Sequence, residues 1–176
     1  MDTERFELDA SSWVNSEPIN LEDLLGTVVL IEAFQMLCPG CVSHGIPQAA
    51  KVHRTFKRSD VVVIGLHTVF EHHDVMGPDA LRAFVSEYRI PFPVAVDRPV
   101  AGRSIPSTMG RYQLQGTPTA LILDRSGRLR HMFLGVIDDL ALGSHLGHLI
   151  AEPAEPAPAL PTHPATDNPP TMEEQP

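Results

Sequence analysis

The chain has 176 residues, enough for one domain with a substantial core and little left for a second. Its formal charge is -9 with only 13 Lys and Arg, which argues against a nucleic-acid partner, because such binding rests on basic side chains that neutralise phosphates. No apolar stretch is long enough to span a bilayer, and the amino terminus MDTERFELDASSW carries acids where an export signal has a basic and then an apolar run, so a cytoplasmic protein without a membrane partner is expected.

In chain order, VVLIEAF (28–34) is an apolar run broken only by Glu32, the pattern of a strand buried on both faces. Both cysteines follow in CPGC, where Pro39 suits the first turn of a helix predicted to run to about Phe56, with a kink at Pro47 eased by Gly45. VVVIGLH (61–67) reads as the next buried strand, so strand, crossover helix and parallel strand put Cys38 and Cys41 at the carboxyl edge of a sheet. A helix is predicted from Pro78, with Leu81, Phe84, Val85 and Tyr88 at helical spacing, followed by a short strand in PFPVAVD. A short helix around Ser107 to Tyr112 precedes two strands, 119–123 and 129–134, joined by the turn Asp124 to Gly127 into an antiparallel hairpin. A last helix, about Asp138 to Leu149, offers Leu140, Leu142, Leu146 and Leu149 to the core. The folded unit is placed at residues 1–151. From Glu152 on, the chain holds eight of its 17 prolines and five acids with no Lys or Arg, a composition that predicts a disordered tail over 152–176 and leaves about -4 on the body.

A structural bridge between Cys38 and Cys41 would close almost no loop, so stapling the fold is their least fitting purpose. As metal ligands they begin a C-x2-C-x2-H run with His44, and His67, His72 and His73 are further candidates. No second C-x-x-C or spaced His pair completes a zinc pattern, and a covalent haem site needs His where Val42 stands. As a redox pair they are well placed. A cysteine at a helix amino terminus has its thiolate favoured by unpaired N–H groups, which makes Cys38 the nucleophile, and Cys41, one turn in, the resolving thiol that closes a Cys38–Cys41 disulfide.

Strand, CPGC at a helix start, strand, then GTPT (116–119) before the LILDRSGRL hairpin and a final helix resembles the thioredoxin fold over roughly residues 12 to 149. The helix and strand of 78–96 resemble the insertion of TlpA-like and peroxiredoxin-like redoxins. The resemblance implies an α/β fold, a thioredoxin-like central mixed sheet flanked by helices, with the inserted helix and strand before a cis-proline. By the same resemblance Glu32 stands where the family has a buried acid that accepts the resolving thiol's proton, a solvated glutamate being the alternative. Thr117-Pro118 stands where the family has its cis-proline, and with Pro39 and Gly40 would form the substrate-binding surface. Two departures stand out: Leu37 replaces the usual Trp, and Pro47 lies six residues after Cys41 instead of five, which implies one inserted residue, a bulge. A peroxiredoxin pattern needs Pro and Thr or Ser seven and three residues before its reactive cysteine, where this chain has Ile31 and Gln35. The expected activity is thiol–disulfide exchange that reduces disulfides in proteins or small thiols, fed by an electron donor the sequence does not name, with neither cofactor nor metal. Peroxide reduction ranks second, and a non-enzymatic metal-handling or interaction module is the further alternative.

Overall fold

The computed structural model describes residues 4–153. Six strands form one sheet: β1 (Ala10–Val14), β2 (Val28–Phe34), β3 (Val61–His67), β4 (Val94–Asp97), β5 (Thr119–Leu123) and β6 (Leu129–Leu134). Their order across the sheet is β1-β4-β3-β2-β5-β6. The β2, β3 and β4 strands run parallel, while β1 on β4, β5 on β2 and β6 on β5 are antiparallel. This is the mixed sheet that the sequence implies, with the inserted helix and strand between β3 and β5. Strand β1 is an addition: ASSWV has too little alternation to read as a strand, and it forms because the edge of β4 offers it a ladder.

The run VVLIEAF is buried at every position because helices cover both faces of its strand. Side chains alternate along β2, and the two faces build separate cores. Val28, Leu30 and Phe34 pack with Cys41, Ala49, Leu81, Leu142 and Leu146. Val29, Ile31 and Ala33 pack with Phe6, Met109 and Leu114 on the other side. Glu32 shares the parity of Leu30 and Phe34, so the alternation alone puts it on the face that carries Cys41.

Helix α1 (Ile46–Thr55) is preceded by a π-helical turn, Cys41–Gly45, which is continuous with helical residues from Pro39. A π turn is a helix with one residue too many, so the extra residue between Cys41 and Pro47 becomes a bulge, as the displaced proline implies. Helix α2 (Pro78–Glu87) starts at its proline, α3 (Ser107–Arg111) is short, and α4 (Asp139–Ala151) closes the body with Asp138 accepting hydrogen bonds from the N–H groups of Leu140 and Ala141. Two expected core positions are corrected. Leu140 is 84% exposed, because it lies on the opposite side of α4 from the buried stripe of Leu142, Leu146 and Leu149, and Tyr88 lies outside on the end of α2, its ring tilted against Phe84. The hairpin turn forms as read: Asp124 accepts from the N–H groups of Ser126 and Arg128, and Gly127 takes φ +78°.

Most of the predicted tail lies outside the described residues. Glu152, the first residue of that segment, is held: Arg130 donates to both its carboxylate oxygens at 2.7 and 3.1 Å.

Candidate active site

The chain leaves β2 at Phe34, turns through Gln35-Met36-Leu37, and enters the helix at Pro39, so Cys38 lies at the junction. Both cysteines are free thiols, Cys38 half-buried and Cys41 fully buried. The N–H of Cys41 donates to Cys38 Sγ at 3.3 Å, and the Cys38 thiol donates to the carbonyl of Thr117, also at 3.3 Å. The outer sulfur therefore already lies against a helix-turn N–H, the group that supports negative charge on sulfur.

Residues 117 and 118 come from the segment that leads into β5, the strand beside β2. Their peptide bond is cis, and Pro118 faces the helix start: a Cβ on Gly40 would meet Pro118 Cδ at 3.2 Å. Gly40 is therefore what allows the proline to approach. The carbonyl of Pro118 accepts from Gly135 N–H at 2.8 Å, which fastens this loop to the end of β6. Pro39 is exposed at the rim, and its carbonyl accepts from the hydroxyl of Ser43 at 2.7 Å. The structure thus brings Cys38, Pro39, Gly40, Cys41, Thr117 and Pro118 together.

Glu32 lies beneath them. It is 3% exposed and its carboxyl group makes no hydrogen bond among the described residues; burial pushes that carboxyl up to about 8. The solvated alternative is thereby set aside. Cys41 is pushed up to about 12, first by burial and then by its hydrogen bond with Cys38. A buried thiol therefore lies on the same face as a buried carboxyl group, and burial favours the protonated form of both.

Gly45 is the residue that sequence reasoning undervalued. It was read as relief for a kink, yet a Cβ there would collide with Glu32 Oε1 and lie 2.9 Å from Pro118 Cβ. The π turn carries Gly45 over the carboxyl group, and its missing side chain is the space the acid occupies. A glycine four residues after the second cysteine was the available signal. Gln35 was considered only as a missing hydroxyl. Buried, its side-chain carbonyl accepts from Phe70 N–H at 3.2 Å and its amide donates to Glu71 at 3.4 Å, which ties the turn before Cys38 to the segment after β3.

The histidines weighed as ligands are not gathered here. His44 is exposed and bonded to Ser43, His67 is buried in β3, and His72 and His73 lie in the following loop. No group of three or more His, Cys, Asp and Glu among the described residues is arranged to hold a metal ion.

Fold and site together define a thioredoxin-fold redoxin with a dithiol at a helix start. Residues 3–132 match the AhpC/TSA family, and the chain belongs to it. A solved thiol-disulfide isomerase from Corynebacterium glutamicum is 55% identical, with a TM-score of 0.85 over 86% of this chain and 99% of that one. Among curated proteins, DipZ of Mycobacterium tuberculosis is 28% identical over 90% of this chain and 22% of its own length. The thiol-disulfide oxidoreductase ResA of Bacillus anthracis is 26% identical over 69% of this chain and 63% of its own. The chain thus spans about a fifth of the DipZ relative.

Proposed function

We propose that this protein is a thiol–disulfide oxidoreductase that reduces disulfides of protein substrates through Cys38 and Cys41. The observation that carries the reading is the pair of sulfurs at one helix start, the outer one half-exposed between Cys41 N–H and the Thr117 carbonyl, the inner one fully buried behind it. Cys38, as thiolate, attacks a substrate disulfide; one substrate sulfur leaves as a thiol and the other stays bonded to Cys38. Glu32, as carboxylate, takes the proton of Cys41. The Cys41 thiolate attacks Cys38 Sγ, closes the Cys38–Cys41 disulfide and expels the second substrate thiol, which leaves protonated. Two electrons pass to the substrate, and a dithiol donor returns them to the protein.

Pro39, Gly40, Thr117 and Pro118 form the surface on which an extended substrate lies beside the reacting sulfur. Residues 1–151 act as one unit in this reaction, and 152–176 take no part, so removal of 154–176 is expected to leave turnover unchanged. As to location, no helix among the described residues is long and apolar enough to cross a membrane. Peroxide reduction is the disfavoured alternative: Gln35, engaged with Phe70 and Glu71, stands where the peroxiredoxin pattern has a hydroxyl.

One preparation, assayed with insulin and with cumene hydroperoxide, dithiothreitol supplying electrons, tests both. Insulin reduction that Cys38→Ser abolishes is the expected result. Faster consumption of the hydroperoxide than of insulin would replace the reading with a peroxidase, and full insulin turnover by Cys38→Ser would remove the dithiol mechanism.

A further inference from the structure

At the carboxyl end of β3 a cavity of about 310 Å³, with none of the dithiol-site residues in its lining, opens between the β3–α2 loop, α2 and the segment after β4. Its size is at the small end of ligand sites, which run from ~300 to 1,000 Å³. The walls are mainly apolar, with Val69, Met76, Leu81 and Val96 among them. His67 is part of the wall. It is 1% exposed, and its Nε2 has no hydrogen-bond partner among the described residues. Burial drives its protonation down to about 4, so the ring is neutral at physiological pH. A buried ring nitrogen left without a partner costs stability, and natural cores satisfy nearly all such atoms. Here the ring that carries it forms part of the cavity wall.

Two further features fix the polarity of that partner. Helix α2 begins on this cavity at Gly77 and Pro78, and no side chain caps its first turn. A ten-residue helix presents unpaired N–H groups and partial positive charge there. Its one first-turn acid, Asp79, is engaged by Arg82. Arg103 stands on the rim, exposed, and its guanidinium makes no ion pair among the described residues. By contrast, the arginine of the wider cleft beside the amino-terminal segment, Arg111, is held by Glu7. The carboxylate in the wall, Asp97, is already consumed: it accepts from the Thr68 hydroxyl at 2.9 Å and from the N–H groups of Thr108 and Met109 at 2.7 and 3.0 Å.

We infer that this cavity binds a small monocarboxylate with an apolar body, its carboxylate held among the α2 amino terminus, Arg103 and the Nε2 edge of His67, and its body against Leu81 and Val96. The inference stands independently of the redox reading. A free organic acid and the carboxyl terminus of a peptide share this chemistry.

Calorimetric titration of the full chain with octanoate, with 1-octanol and with acetyl-Ala-Ala-Leu bearing a free carboxylate tests it, and His67 ring resonances report where binding occurs. Octanoate or the peptide is expected to saturate a single site and shift the His67 ring, the tighter of the two assigning the source, while octanol binds at least tenfold more weakly. Arg103→Gln, an exposed change that leaves the core intact, is expected to weaken the carboxylate about tenfold and octanol hardly at all. Val96→Phe, which fills the cavity, should abolish both. Equal affinity for octanol and octanoate, an Arg103→Gln variant that binds octanoate like wild type, no saturation by either carboxylate at millimolar concentration, or binding that leaves the His67 resonances unmoved would each overturn the inference.

Discussion

The carboxyl ends of β2 and β3 lie side by side, Phe34 opposite His67, and the contrast between them shows how one architecture serves two purposes. Both strands run into a loop and then a helix. After β2 the helix start is occupied by the protein's own sulfur, Cys38, under the N–H of Cys41. After β3 the corresponding helix start is left to a cavity. Each end also buries one titratable group, and the two are shifted in opposite senses by the same cause: desolvation raises the acid Glu32 and lowers the base His67, disfavouring the charged form of each. Burial alone does not make either group catalytic. The difference lies in what is adjacent, a thiol that must lose a proton in one case and an apolar pocket in the other.

The sharpest way to break this contrast is to remove the sulfurs. Cys38→Ser is expected to lose disulfide turnover by three orders of magnitude or more, and Cys41→Ser to arrest as a mixed disulfide with substrate through Cys38, visible by mass spectrometry (roughly the loss seen when any nucleophile is removed). Iodoacetamide at neutral pH should label Cys38 before Cys41, because one sulfur is half-exposed and the other buried with its thiol held up to about 12. Faster labelling of Cys41 reverses the assignment.

Next in size is Glu32→Gln, expected to slow turnover by ~10²-fold, the lower range for loss of a general base. The effect should fall on resolution, so mixed disulfide accumulates in the variant, while His67→Gln leaves the rate within a few-fold. Unchanged turnover in Glu32→Gln removes the proton-acceptor role.

The opposite shifts also set the dependence of stability on pH. Glu32 has a folded value of about 8 against 4.5 when unfolded, so its protonated form stabilises the fold at low pH and that contribution is lost as pH rises from 4.5 to 8. His67 has about 4 against 6.5, so its contribution is present above 6.5 and lost as pH falls towards 4. Between 4.5 and 6.5 the two slopes oppose and offset; from 6.5 to 8 Glu32 acts alone, with a fall of about 1 kcal/mol per pH unit. Denaturant unfolding across this range should show that fall in wild type and its absence in Glu32→Gln. A variant that keeps the slope would assign it to another group.

Gly45→Ala tests the space beneath the π turn, where the added methyl group meets the Glu32 carboxyl and Pro118. A cost of about 1–3 kcal/mol is expected, with slower turnover as the carboxyl is displaced. Arg130→Ala, remote from both strand ends, is the smallest change: Glu152 is part-exposed, and Asp124, though buried, keeps the N–H groups of Ser126 and Arg128, so a loss within about 1 kcal/mol with normal turnover is expected.

Much of this was legible in the sequence because it is local. Apolar runs announced β2, β3 and β5, since only a strand covered on both faces tolerates so little polarity. Pro39 marked a helix start, and the interval from Cys41 to Pro47 implied the bulge that the π turn supplies. The alternation of β2 even fixed the face on which Glu32 lies. What the sequence by itself could not decide depends on groups far apart in the chain. Thr117 and Pro118 meet Cys38 and Gly40 only because β5 lies beside β2. Leu142, Leu146 and Leu149 share one face of α4, and it is the docking of that face on the sheet that leaves Leu140 outside. β1 exists because β4 exposes an edge. Gly45 reads as a flexible point until the carboxyl of Glu32, thirteen residues earlier, is seen in the space its side chain would fill. The cavity at His67 is the extreme case, since its walls come from four separate segments and no local pattern records an enclosed volume.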